Sequence, residues 1–106
     1  MDAVTLYATW PNLEAAETAA RQLVERRIAA CVNLLPNVVS VYRWEGALQR
    51  DSEVVMLVKT TAARAAEARD AIVALHPNQL PCVTAFRIDS ACASAPFLNW
   101  LQQETL

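Results

Sequence analysis

"VYRWEG", residues 41–46, decides the fold. It sets Tyr42, Arg43, Trp44 and Glu45 side by side, after "NVVS" (37–40) and before Gly46, the chain's only glycine. "EGALQRDS" (45–52) reads as a turn. "EVVMLVKT" (53–60) is a nearly continuous apolar run, the pattern of a strand covered on both faces. Segments 38–44 and 53–59 therefore form one long antiparallel hairpin. Two large aromatics and two charges at its tip are hard to bury within a small domain, which raises the question of what covers them.

Working outward, "AVTLYATW" (3–10) is a strand bounded by Pro11. In "NLEAAETAARQLVERRI" (12–28), Leu13, Ala16, Ala20, Leu23, Val24 and Ile28 recur at helical spacing. Asn12 suits the N-cap, the end is expected near Arg27, and the alanines allow a close approach to a sheet. "ACVNLLPNVVSVYRW" (30–44) is extended, and Pro36 marks an edge, a bulge or a break. "TAARAAEARDAIVALH" (61–76) is a second helix with Thr61 as cap and Pro77 as stop. "CVTAFRID" (82–89) is a fourth strand. "ASAPFLNWLQQ" (93–103) is a last helix capped by Ser94, with Phe97, Trp100 and Leu101 as its apolar face.

Strand, helix, strand, strand, helix, strand and a terminal helix make an α+β chain on the ferredoxin-like, split βαβ plan, one domain over 1–106. Right-handed crossovers put both main helices on one face of a four-stranded sheet. The other face is bare. Alternation assigns Leu6, Val39, Val41, Val55 and Leu57 to the helices, and Tyr7, Tyr42, Trp44, Val54, Met56, Val58 and Phe86 to the bare side. Hydrophobic residues are 55% and charged residues 19% of the chain, more apolar than one small core needs. Self-association is the expected outcome, with Tyr42, Arg43, Trp44, Glu45, Val54, Met56 and Val58 at the interface.

Composition also excludes. A net charge of −2 without a basic stripe argues against nucleic acid. One glycine excludes Gly-rich phosphate loops. No apolar stretch is long enough for a membrane span, and "MDAVTLYATW" lacks the charged start of a signal peptide. Three cysteines without paired spacing (Cys31, Cys82, Cys92) point to a reducing cytoplasm. With one histidine and no serine–histidine–acid arrangement, no acid, base or nucleophile is assignable, and an enzyme is not expected.

The chain resembles the CutA-type divalent-cation tolerance family. The resemblance is carried by "AACVN" (29–33), "YRWEG" (42–46), "KT" (59–60) and "HP" (76–77), in order and at family-like spacing. It implies a homotrimer held by long hairpins that extend one subunit's sheet into its neighbours. It implies a role in tolerance to divalent metals, copper especially, and a fold similar to the P-II signalling trimers, which bind small ligands between subunits. After the second helix the family usually reads His-Pro-Tyr-Glu, whereas here His76 and Pro77 precede Asn78, Gln79, Leu80, Pro81 and Cys82. Without the tyrosine and the carboxylates, an oxygen site for a hard cation is not expected, and softer ligands remain.

Two candidate sites follow. Cys31, His76 and Cys82 are the candidate ligands for copper or another transition metal, since thiolates suit Cu(I) and imidazole suits copper and zinc. The alternative for the cysteines is a small buried hydrophobe, and for His76 a cap on the carbonyls of the second helix. Asn33, Tyr42, Trp44 and Lys59 are the candidate walls of an intersubunit cleft for a small molecule. An assembly scaffold without a ligand is the remaining expectation.

Overall fold

The computed structural model describes residues 2–106. Strand β1 (Ala3–Trp10) leads through helix α1 (Leu13–Glu25) to β2 (Cys31–Trp44) and β3 (Ala47–Thr61). Helix α2 (Ala62–Leu75), strand β4 (Val83–Arg87), a 3-10 turn (Ser90–Cys92) and helix α3 (Ala95–Glu104) follow. The strands lie in the order β2-β3-β1-β4 with antiparallel neighbours throughout. This is the expected α+β architecture, with β2 and β4 as its free edges.

Local chemistry sets the helix ends. The Asn12 side chain accepts the Ala15 N–H at 2.8 Å and caps α1. Left-handed Arg27, at φ 58°, turns the chain out of that helix close to the expected end. Thr61 stands extended ahead of α2, but its hydroxyl makes no capping bond. Ser94 caps α3 by accepting the Phe97 N–H, with Pro96 in the first turn.

Helices α1 and α2 seat Ala16, Ala19, Leu23, Ala68, Ala71 and Ile72 against one face of the sheet. The strands answer with Leu6, Ala8, Trp10, Val54, Met56 and Val58, all buried. The last three were expected on the opposite side, at the interface between copies. The pairing corrects this. Leu6 faces Val58, Ala8 faces Met56 and Trp10 faces Val54 across the β1–β3 ladder, and cross-strand partners share a face. Val55 and Leu57 thus lie with Thr9 and Tyr7 on the other side, opposite to expectation. A run apolar at every position carries no parity of its own, so only its partner strand decides which half turns inward.

The turn is also shorter than expected. Strand β3 begins at Ala47, and only Glu45 and Gly46 connect the strands, at φ 50° and 81°. Positive φ at both central residues is the geometry of a two-residue turn that follows the twist of a hairpin. Residues 47–52 are strand.

The second face is not wholly bare. At one end α3 sets Leu98 and Leu101 against Ala3 and Ala30, a small cluster separate from the main core. Phe97 and Trp100, expected to point inward, remain substantially exposed, and Lys59 Nζ sits 5.7 Å from the Phe97 ring centre. Pairs at 97/100 and 98/101 lie on neighbouring stripes of one helix, and packing selected the aliphatic stripe.

Candidate functional site: the hairpin groove

Pro36 lies on the edge strand, where its missing N–H costs no ladder bond. Leu35 pairs with Val55 but Val38 pairs with Glu53, so three steps on β2 match two on β3. The extra residue is a β-bulge containing Asn37 at φ 63°. It inverts the alternation of β2. Before it, Cys31, Asn33 and Leu35 share the open face with Lys59, Leu57 and Val55. After it, Val38, Ser40, Tyr42 and Trp44 share that face with Glu53, Asp51, Gln49 and Ala47. Strand β1 ends opposite Val54, so residues 38–53 project as a two-stranded arm with no further strand beside it among the described residues.

A groove of about 970 Å³ runs along the base of this arm. Tyr7 and Thr9 of β1 line its floor, and Tyr42, Trp44, Asp51 and Glu53 line the arm side. The segment after α2 closes the other side with Pro77, Asn78, Leu80 and Cys82. The Tyr42 hydroxyl donates to the Asp51 carboxylate. That bond first, then desolvation, then the negative charges of Asp51 and Glu53 push the Tyr42 pKa above its ordinary 10.0.

His76 holds the segment after α2 in place. The Asn78 N–H donates to its Nδ1 at 3.1 Å, and its Nε2 lies 2.6 Å from the Thr9 carbonyl. The network assigns the proton to Nε2, which donates to Thr9, and both ring nitrogens are used. The ring is buried against Trp10. Thr9 and Asn78 stand on different sides of the groove, so His76 ties one to the other.

The three candidate metal ligands are not brought together within one chain. Cys31 is half-buried on β2 and Cys82 exposed just before β4. Those are opposite edges of the sheet, three strand spacings or roughly 14 Å apart. Among the described residues no group of three or more His, Cys, Asp or Glu side chains is arranged to hold a metal ion. The four cleft candidates divide as well. Tyr42 and Trp44 line the groove, while Asn33 and Lys59 sit beyond the bulge, toward α3. Sequence reasoning misses Asp51 because it lies in 45–52, taken there for a turn, and misses Glu53 because it opens an otherwise apolar strand. The signal was present: with Glu45-Gly46 as a two-residue turn, Gln49, Asp51 and Glu53 alternate with Leu48, Arg50 and Ser52.

The comparisons with known proteins agree on one family. The family model described as CutA1 divalent ion tolerance protein matches residues 4–104. The divalent-cation tolerance protein CutA of Thermus thermophilus is 41% identical over 97 residues, covering 92% of either chain. Human protein CutA is 37% identical over 99 residues, but the chain spans only 54% of its length. Among solved structures, the periplasmic divalent cation tolerance protein CutA from Archaeoglobus fulgidus superposes with a TM-score of 0.93 at 36% identity, covering 98% of this chain and 99% of that one. The PII-like protein CutA from Nostoc, in apo form, gives a TM-score of 0.90 at 31% identity, covering 100% and 98%. No helix of the described residues is long and apolar enough to cross a membrane. With nearly its full length matched in sequence and in fold, this chain belongs to the CutA1 divalent ion tolerance family.

Proposed function

We propose that this chain serves divalent-ion tolerance in the cytoplasm as a trimer of identical subunits that binds a transition metal weakly, copper foremost. The observation that carries the reading is the unpartnered arm of residues 38–53. An isolated two-stranded ribbon is marginal in water, and this one exposes Val39, Val41 and Leu48. Two free edges of different sequence, β2 and β4, favour a head-to-tail contact, which closes into a ring when the rotation allows. Such a contact brings the edge bearing Cys31 of one copy toward the edge bearing Cys82 of the next, and thiolates suit Cu(I). Each ring nitrogen of His76 is already hydrogen-bonded, so the imidazole joins a metal only by giving up at least one of those bonds, and its role in this reading is structural. The role is binding rather than catalysis, in keeping with relatives named as tolerance proteins.

The test is an anaerobic Cu(I) titration followed by thiolate charge-transfer absorbance, with solution mass measured on the same sample. The expected result is a mass three times the 11.7 kDa subunit. Absorbance should rise on titration and be lost in both Cys31→Ser and Cys82→Ser. A subunit mass, or absorbance indifferent to both cysteines, rejects the reading.

The groove favours a second reading, a P-II-like sensor of a small molecule. Its volume of about 970 Å³ suits a small-molecule site. A groove ligand at 100 times its Kd stabilises the protein by about 2.7 kcal/mol, visible in a thermal-shift screen. Silence in both experiments leaves a ligand-free scaffold.

A further inference from the structure

We draw no further inference here: the strongest candidate, the surface patch at the α3 end of the open sheet face, where Phe97 and Trp100 stay exposed and Lys59 lies over the Phe97 ring, carries none because nothing in the structure shows what covers it.

Discussion

The imidazole of His76 stacks on the indole of Trp10, ring centroids 4.3 Å apart and planes 27° from parallel. Trp10 ends β1 and His76 follows α2, so the pair joins the strand to the segment that walls the groove. Stacking fixes the plane of the imidazole, and the two hydrogen bonds fix its rotation. His76 thereby ties β1 to the segment after α2.

His76→Ala should accordingly lower stability by about 2–4 kcal/mol, the sum of a buried cavity and two lost hydrogen bonds. Urea denaturation measures it. Copper binding by the folded variant should match the parent. A stable variant that has lost copper would make His76 a ligand after all.

Met56 and Trp44 should separate folding from assembly. Met56 is fully buried in the core, so Met56→Ala should cost about 2–5 kcal/mol of subunit stability. Trp44, on the projecting arm, is 40% exposed in the single chain. Trp44→Ala should weaken the oligomer, read by light scattering across a dilution series, while leaving the circular dichroism of the subunit intact. An unchanged mass for Trp44→Ala at every concentration would remove that residue from the interface.

The turn offers a stabilising change. Glu45 holds φ 50°, a region that costs an ordinary side chain about 1 kcal/mol and that asparagine tolerates better. Glu45→Asn, which creates the favoured Asn-Gly pair, should stabilise the hairpin by about 0.5 kcal/mol. Gly46→Ala should destabilise it by about 1–2 kcal/mol through backbone strain alone. No atom lies within 4 Å of the added methyl group. Thermal melting of the two variants should move in opposite directions.

Tyr42 should titrate late. Its pKa is raised by the bond to Asp51, so the folded protein holds the phenolic proton more tightly than the unfolded chain. The associated stabilisation is fully present below pH 10.0 and is lost as pH climbs through the higher folded value. Ultraviolet tyrosinate titration should resolve this group, and Asp51→Asn should bring it back toward the ordinary value.

Much of this protein follows from local rules that act along the chain. The apolar spacing of 13–28, the cap at Asn12, the stops at Pro11 and Pro77 and the alternation in 3–10 each specify an element without distant help. Their order leaves few topologies, which is why the antiparallel sheet and the helix-covered face were legible. The motif pieces around 29–33 and 42–46 likewise pointed to the family.

Tertiary structure alone decided facing and proximity. "EVVMLV" is apolar at every position, and its parity came from the partner strand β1. The bulge at Pro36–Asn37 then reversed the alternation of β2, which set Tyr42 and Trp44 on one face with Asp51 and Glu53 and left Asn33 and Lys59 further along the sheet. The same packing carried Cys31 and Cys82 to opposite edges and consumed both nitrogens of His76. The reason is physical: propensity and capping act over three or four neighbouring residues. Which side chains meet depends on register between strands far apart in the sequence, and one inserted residue changes every contact beyond it.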